Sequence, residues 1–199
     1  MAKDVYAYIY GDGLYLNLTN ACTNDCAFCL RRHTDGIGGY NLWLKEEPDA
    51  NMVIEQMGDL TPYDEIVFCG FGEPLLRLDV LKQVAAYAKA RGKTVRVNTN
   101  GLANLYHGRD ITPELAGLVD VISISLNASN AEDYLALCKP CFGLEAYEGL
   151  WDFAEKAQAH VPAVLLSIVD SIGLRQIAAC QKLAEQRGLT LRVRAYTEE

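Results

Sequence analysis

The sequence predicts an α/β fold built on a parallel sheet. Short apolar runs bounded by turn residues alternate along the chain with segments whose apolar residues have helical spacing. Six such strand runs follow one another from Leu14 onwards, and one extra strand precedes them. Strands that alternate with helices favour parallel pairing through right-handed crossovers. Six units are too few for a closed eight-stranded barrel, so an open doubly wound sheet and a partial barrel are the alternatives.

The first part of the chain is predicted as a hairpin, a long loop and a helix. Residues 5–10 are β-branched and aromatic, a Gly-Asp-Gly turn follows, and residues 14–20 alternate between apolar and polar types. Residues 30–47 are too rich in glycine for a helix, and long loops in compact domains are usually functional. A helix is expected from Pro48-Asp49 to about Gly58.

The later part of the chain is predicted to alternate regularly. The expected strands are 65–70, 94–98, 120–127, 161–170 and 189–195. The expected helices are 79–91, a short one that opens at Thr112, 131–138, 145–159 and 174–187. Asp79 is the expected N-cap of the first of these helices, and Gly92 and Gly188 are expected to end two of them.

Composition excludes several classes of function. The 199 residues are half apolar and carry a net charge of −8, so we expect one globular domain without non-specific affinity for nucleic acid or anionic membranes. No stretch approaches the roughly 20 apolar residues of a membrane span, and the start of the sequence is not a signal peptide. We therefore expect a cytoplasmic protein. The odd number of cysteines, seven, favours thiolate or metal chemistry over a disulfide framework.

Three cysteines lie close together directly after the strand run 14–20. Cys22, Cys26 and Cys29 are spaced by four and three residues on one short segment. Three thiolates there can hold three irons of a cubane cluster and leave the fourth iron open to a small molecule. A structural zinc site is an alternative, although it prefers four ligands, and buried core cysteines are another.

Polar residues also follow the next three predicted strands. They are Gly70-Phe71-Gly72-Glu73-Pro74, Asn98-Thr99-Asn100-Gly101 and the Ser123, Ser125 and Asn127 positions of the fourth strand. Each set alone is compatible with an ordinary turn. Because ligands of parallel α/β folds bind at the carboxyl ends of the strands, the sets together predict a site for one polyfunctional small molecule.

The cysteine spacing and the Gly70–Pro74 segment, in this order, resemble the radical S-adenosylmethionine (SAM) superfamily over essentially the whole chain. Residues 14–20, 38–44, 67–70 and 107–110 more narrowly resemble its TatD-associated subgroup, which implies a possible functional link to a TatD-type nuclease. The resemblance implies a single core domain, 1–199, with a partial (β/α)6 TIM-type barrel and an extra N-terminal strand that forms a hairpin.

The resemblance also implies the cofactors and their contacts. Cys22, Cys26 and Cys29 would hold a [4Fe–4S] cluster, and Gly70, Phe71, Gly72 and Glu73 would meet the methionyl amine of SAM. The carboxylate and ribose contacts would be Asn98, Ser125 and Asn127, and the adenine contacts would be Phe28 and, more weakly matched, Val169 and Arg194. A flavodoxin- or ferredoxin-like donor would supply the electron that cleaves SAM, and the 5′-deoxyadenosyl radical would abstract hydrogen from an unidentified substrate.

Several residues allow more than one interpretation. Cys138 and Cys141 are candidate catalytic thiols, as hydrogen donors or substrate ligands; ligands of an auxiliary cluster and exposed structural thiols are the alternatives. Cys69 and Cys180 are expected in the core. Functional and structural roles both remain open for the following residues: Arg31, Arg32, His33, Tyr40, Trp43, His107 and Arg109.

Three functions are therefore compatible with the sequence. The first is a radical SAM enzyme that abstracts a hydrogen atom from an unidentified substrate. The second is an activase that makes a glycyl radical on a partner protein, for which an open barrel side would provide access. The third is a non-catalytic iron–sulfur or zinc scaffold, and it leaves Gly72-Glu73 and the polar strand ends unexplained.

Overall fold

A computed structural model describes residues 3–195, which form nine strands and six α-helices. In chain order the elements are β1 (Ala7–Tyr10), β2 (Gly13–Leu16), β3 (Gly36–Ile37), β4 (Tyr40–Asn41), α1 (Ala50–Met57), β5 (Glu65–Phe68), α2 (Leu78–Lys89), β6 (Thr94–Thr99), α3 (Ala103–His107), β7 (Val121–Ser125), α4 (Ala131–Cys138), α5 (Glu145–Ala157), β8 (Ala163–Val169), α6 (Leu174–Gln186) and β9 (Thr190–Arg194). The predicted domain 1–199 extends by two and four residues beyond the described range, so its ends lie outside the described residues. None of the helices within residues 3–195 has the length and apolar character needed to cross a membrane.

The main sheet has seven strands in the order β1-β2-β5-β6-β7-β8-β9. The β1 strand is antiparallel to β2, and every later pair is parallel. The spatial order follows the chain without the reversal that a doubly wound sheet requires. The predicted hairpin and the six parallel strands are therefore confirmed. Within the described residues β1 and β9 are the unpaired edges, so the barrel is partial.

Alternation of side chains along the strands separates the core from the interior of the barrel. In β6, Val95 and Val97 are fully buried in the apolar cluster formed with the helices. Arg96 and Asn98, which point to the opposite face of the sheet, line a cavity instead. The same alternation in β7 and β8 sends polar residues to the inner face. The sequence therefore builds a polar interior surrounded by an apolar outer layer.

Most predicted helix limits agree with the structure. Helix α1 begins where it was expected, and Asp49 caps it by accepting a 2.9 Å hydrogen bond from the backbone nitrogen of Met52. The prediction that Asp79 caps α2 is wrong: the helix begins at Leu78, because the short 3-10 helix Pro74–Arg77 leads directly into it. Asp79 lies instead in the first turn, where its charge is favourable to the helix dipole.

Two features of the predicted loops were not expected. The loop 30–47 contains the two-stranded antiparallel ribbon β3–β4. The segment before Gly108 forms the short helix α3, which packs against α5. This packing depends on Gly149 in α5, because a Cβ atom there would lie 2.4 Å from Cδ1 of Leu105. Five residues of helix give little periodic signal, so tertiary packing and not local pattern determines α3.

Candidate functional site

One cavity lies at the inner face of the sheet and extends to the carboxyl ends of its strands. The loop after β2 and strands β5 to β9 or their ends all contribute to it. Its lining residues are Cys22, Asn24, Cys26, Phe28, Cys69, Gly70, Gly72, Glu73, Arg96, Asn98, Thr99, Asn100, Ser123, Ser125, Asn127, Ser167, Arg192 and Arg194. The predicted strand-end residues are thus collected into one cavity together with two of the three clustered cysteines.

The loop that carries the cysteines is held by the last residues of α4 and by the segment that follows this helix. The backbone nitrogen of Asp25 donates a 3.0 Å hydrogen bond to the carbonyl oxygen of Cys138, and that of Ala27 donates a 2.9 Å bond to the carbonyl oxygen of Leu137. In the opposite direction, the backbone nitrogen of Cys141 donates to the carbonyl oxygen of Thr23 at 2.8 Å. These long-range backbone bonds fix a loop that has no regular secondary structure of its own.

Arg31 and Arg32 also hold the cysteine loop. The Arg31 guanidinium donates to the carbonyl oxygens of Asn20 and Asn24, each at 3.2 Å. Arg32 donates through Nε to the carbonyl oxygen of Cys26 at 2.9 Å, and both arginines form ion pairs with Asp25. The sequence alone is compatible with either a substrate anion or solvent as the partner of these arginines. The structure gives them backbone carbonyls, which composition and spacing do not reveal.

The three thiols are partly buried and none forms a disulfide. Burial is the main cause that raises the pKa of Cys22, to about 12, and it also raises that of Cys29. A hydrogen bond with the Cys138 thiol, followed by burial, raises the pKa of Cys26. The raised pKa values favour the protonated thiols in the ligand-free protein, so binding of iron must displace their protons.

The donor set suits a cluster better than a single ion. Within residues 3–195, no three His, Cys, Asp or Glu side chains converge on a point that one metal ion could occupy. Structural zinc needs four ligands around one point. In a cubane cluster each cysteine binds its own iron, so the three sulfur atoms need not converge.

Glu73 is the only carboxylate among the lining residues, and it is buried. Its Oε1 accepts hydrogen bonds from the Leu75 backbone nitrogen at 3.1 Å and the Thr99 hydroxyl at 2.8 Å. Its Oε2 accepts from the Asn100 backbone nitrogen at 2.8 Å. Burial outweighs these bonds and raises the pKa of Glu73 to about 7. A carboxylate has about four acceptor positions, so one position is left for a ligand such as an ammonium group.

Asn100 belongs to a predicted strand-end set, but the sequence assigned it no contact of its own. Its amide nitrogen donates to the Thr23 hydroxyl at 2.8 Å and lies 3.7 Å from the Cys22 sulfur. Its backbone nitrogen is bonded to Glu73, so Asn100 connects the carboxylate to the cysteine loop. An Asn-Gly pair is also a frequent turn signal, so the sequence alone does not predict this contact.

Gly70 and Gly72 allow the loop after β5 to lie against the chain that leaves β2. A Cβ atom at Gly70 would lie 2.1 Å from Oδ1 of Asn17. A Cβ atom at Gly72 would lie 2.3 Å from the carbonyl oxygen of Thr19 and 2.5 Å from that of Ala21. The glycines therefore bring Glu73 next to the residues that precede Cys22.

Unpartnered polar atoms in the cavity fit a polyfunctional ligand. The side-chain oxygens of Asn24, Asn98 and Asn127 are buried and accept no hydrogen bond within the described chain. Buried acceptors without a donor are costly, and functional sites are where they persist. Asn127 also has a backbone φ of 55°, which is unusual outside glycine. The ammonium and ribose hydroxyl groups of SAM are donors of the kind that these acceptors lack.

Some predicted site residues do not line this cavity. Phe71 is buried against Trp43, with ring centroids 5.1 Å apart, so only its backbone is available to the site. Val169 is buried at the end of β8, and Cys29 is only half-buried at the far end of its loop. Cys138 is fully buried beside Cys26, and Cys141 is exposed. Neither of these last two thiols lines the cavity, but the Cys138 thiol accepts a 3.8 Å hydrogen bond from the side-chain amide of Asn127, which does.

Other ambiguous residues have structural partners. The ring of Tyr40 packs on Tyr8, with centroids 5.9 Å apart, so Tyr40 and Trp43 fasten the 30–47 loop. His107 Nε2 lies 2.9 Å from the carbonyl oxygen of Leu75, and Arg109 pairs with Glu114.

The two remaining cysteines had both been assigned to the core. Cys180 is buried in the apolar cluster, which confirms its prediction. The same prediction for Cys69 is wrong, because the strand direction turns its thiol into the cavity, where it hydrogen-bonds Asn98.

Comparison with known proteins agrees with this geometry. The model of the radical SAM superfamily matches residues 16–173. A "Tungsten-containing aldehyde ferredoxin oxidoreductase cofactor-modifying protein" of Pyrococcus furiosus is 28% identical over 166 residues, covering 78% of this chain and 43% of that protein. A "Probable GTP 3',8-cyclase" of Saccharolobus islandicus is 26% identical over 180 residues, covering 89% of this chain and 54% of that protein. The chain thus spans about half the length of these curated relatives.

Solved structures share the fold. The structure titled "Native anSMEcpe with bound AdoMet" superposes with a TM-score of 0.67 at 16% identity, over 92% of this chain and 51% of that one. Streptococcus suis SuiB bound to precursor peptide SuiA superposes with a TM-score of 0.73 at 14% identity, over 95% of this chain and 40% of that one. At such low identity the likeness concerns the architecture.

Proposed function

The chain belongs to the radical SAM superfamily, whose members use a [4Fe–4S] cluster and SAM, and from this premise we propose that it catalyses hydrogen-atom abstraction. When bound, the two cofactors supply a 5′-deoxyadenosyl radical after reductive cleavage of SAM. The observation that carries the proposal is the single cavity that joins Cys22 and Cys26 to Glu73 and to the polar strand ends.

Cys22, Cys26 and Cys29 would hold the cluster in this proposal. The loop is preorganised for it by the carbonyl contacts of Arg31 and Arg32 and by the backbone bonds to the end of α4 and the segment after it. Asn100 restrains the loop at its first cysteine. Because the ligands are already held in place, less conformational entropy is lost when the cluster binds.

The chain's own residues would orient SAM. Glu73 would bind the methionyl ammonium with its remaining acceptor position, together with backbone carbonyls of Gly70, Phe71 and Gly72. Asn98, Ser125 and Asn127 would bind the carboxylate and ribose. Adenine would lie against Phe28, with Val169 and Arg194 as weaker candidate contacts.

The names of the relatives suggest two classes of substrate. One relative is named for a nucleotide substrate, GTP, and one solved neighbour holds a precursor peptide. The lining residues of this chain include three arginines and a single carboxylate. That balance favours a small anionic substrate over a peptide.

A direct test uses the cysteines themselves. Anaerobic reconstitution with iron and sulfide, followed by SAM and dithionite, should give 5′-deoxyadenosine from the wild type and none from C22A, C26A or C29A. C180A is the matched control, because Cys180 is buried in the core away from the site, and it should retain cleavage. A wild-type protein that binds the cluster but forms no 5′-deoxyadenosine would support the scaffold interpretation instead.

A second candidate is the activase, and the open edge of the sheet favours it. Within the described residues β9 has no partner strand on its outer side, so a partner protein could approach the cavity there. An activase would generate a SAM-dependent radical signal on a partner protein, detected by electron paramagnetic resonance. The absence of that signal with each candidate partner would count against it.

A catalytic role for Cys138 or Cys141 stays a prediction. Since neither thiol lines the cavity, such a role requires movement of the end of α4 for Cys138 and of the segment after α4 for Cys141. C138A or C141A should then abolish product without stopping SAM cleavage. Unchanged turnover in both variants would exclude the role.

Further proposals concern the protein's context. One buried apolar cluster extends from Tyr6 to Leu191, which supports a single domain over 1–199. Free cysteines and an iron–sulfur cluster favour a reducing compartment such as the cytoplasm, with a flavodoxin- or ferredoxin-like electron donor. We also propose that the chain belongs to the TatD-associated subgroup and copurifies with a TatD-type nuclease from native extract; failure to copurify would count against that link.

A further inference from the structure

Three arginines face the same cavity from two strands. Arg96 lies on β6, and Arg192 and Arg194 lie on β9. Strands β7 and β8 separate β6 from β9 in the sheet, so the sheet must curl to bring these side chains to one cavity. Arg192 is in register with Ser167 of β8, which is in register with Ser125 of β7. The arginines thus adjoin a row of small hydroxyl groups.

The charges of these arginines are only partly balanced. Arg96 pairs with Glu65 at 2.8 Å and lies 3.3 Å from the Tyr15 hydroxyl, but its Nε is buried without a partner. Within the described residues, neither Arg192 nor Arg194 forms an ion pair. Burial lowers the pKa of Arg194, and the charges of Arg192 and Arg96 lower it further, so Arg194 lies near enough to each of the other two arginines to be repelled by it.

No carboxylate in the cavity offsets this charge. Glu73 is the only acidic lining residue, and three hydrogen-bond donors already use most of its acceptor positions. The chain as a whole carries a net charge of −8, so the cationic patch is not a consequence of composition. Guanidinium groups in a partly enclosed site bind phosphate and carboxylate in bidentate fashion.

The proposed SAM contacts leave Arg96 and Arg192 unassigned. Arg96 precedes Asn98 by two residues on the same strand, so it lies farther from the carboxyl end, where SAM would bind. From these observations we propose that Arg96 and Arg192 bind an oxyanion, a phosphate or a carboxylate, of the substrate. The substrate is thus a small anionic molecule whose charged group is anchored between β6 and β9. This inference rests on the proposed radical SAM function.

Such an anchor would also orient the substrate. Binding of the charged group at two arginines on different strands fixes both position and rotation. The uncharged part of the substrate would then extend towards the strand ends, where the hydrogen to be abstracted must meet the radical. Ser125, Asn127 and Ser167 line the same cavity as the arginines and Glu73.

The experiment measures binding of two oxyanion probes to the reconstituted, SAM-saturated protein by isothermal titration calorimetry. Sodium pyrophosphate and sodium succinate distinguish a phosphate from a carboxylate group. The wild type should bind at least one probe, and R192Q should bind it at least tenfold more weakly. R175Q is the matched control, because Arg175 is exposed on the outer helix α6, and it should bind like the wild type.

Each outcome decides the proposal. A wild type that binds neither probe, or an R192Q variant that binds as tightly as the wild type, overturns it. Displacement of SAM by the probe would assign the arginines to SAM and also overturn it. Formation of 5′-deoxyadenosine by the same wild-type preparation tests the proposed function separately. If that product forms and no probe binds, the anion inference fails while the radical SAM function stands.

Discussion

The backbone nitrogen of Asn100 lies 2.8 Å from Oε2 of Glu73, which joins the end of β6 to the loop after β5. The Asn100 side chain continues this connection to Thr23, next to Cys22. One buried carboxylate therefore links the proposed SAM ammonium contact to the proposed cluster loop. A ligand that binds Glu73 can be expected to stabilise the cysteine loop as well.

The first prediction concerns the charge of Glu73. E73Q should weaken SAM binding by about 10- to 150-fold, because a hydrogen bond to a charged group contributes about 1.5–3 kcal/mol. Equilibrium dialysis with the reconstituted protein measures it. T99V is the control, since it removes one hydrogen bond to Oε1 but keeps the carboxylate, and it should bind SAM within a few-fold of the wild type. Equal SAM affinity in E73Q would show that Glu73 has only a structural role.

The second prediction concerns pH and stability. The pKa of Glu73 is raised from 4.5 to about 7, so the folded protein holds this proton more tightly than the unfolded chain. The contribution of Glu73 is therefore most favourable below pH 4.5 and is lost as the pH rises towards 7. Between pH 5 and pH 7.5 the unfolding free energy of the wild type should fall by about 2 kcal/mol more than that of E73Q. Urea unfolding of the apoprotein at both pH values checks this, and parallel curves would contradict it.

The third prediction concerns Gly72. In G72A the new Cβ would collide with the backbone oxygens of Thr19 and Ala21, which cannot move without displacing the cysteine loop. We expect a loss of about 1–3 kcal/mol in unfolding free energy and a reduced iron content after reconstitution. Thermal unfolding and iron analysis measure the two effects. G13A is the control, because its nearest atom is a Tyr15 ring carbon at 3.2 Å, and full iron content in G72A would contradict the prediction.

These residues also show what the sequence can and cannot predict. Period-two and helical patterns depend on local chemistry, so the strand order and most helices could be predicted. The placement of Cys22, Cys26 and Glu73 in one cavity could also be predicted, because each follows the carboxyl end of a parallel strand. The roles of Arg31 and Asn100 depend on carbonyl and hydroxyl partners that only the folded chain brings near. Cys69 was misassigned because its neighbours are apolar, although strand alternation directs it inwards.

The fourth prediction concerns Arg31. R31A removes the two hydrogen bonds to the carbonyl oxygens of Asn20 and Asn24, which hold the loop before and after Cys22. The loop should become mobile, and reconstituted protein should contain less iron and lose it faster to a chelator. R91A is the control, because Arg91 stacks on Tyr87 on the outer helix α2 at 3.4 Å. Identical rates of iron loss in R31A and the wild type would contradict a holding role.

The fifth prediction separates backbone strain from binding at Asn127. Its φ of 55° is unfavourable for any residue with a Cβ atom, while its buried side-chain oxygen has no partner within the described chain. N127G should therefore be more stable than N127A by about 1 kcal/mol, because glycine adopts this conformation without strain. Both variants should nevertheless weaken SAM binding to a similar extent, since both lose the amide. Chemical unfolding and SAM dialysis measure the two quantities, and wild-type SAM affinity in N127G would remove Asn127 from the proposed site.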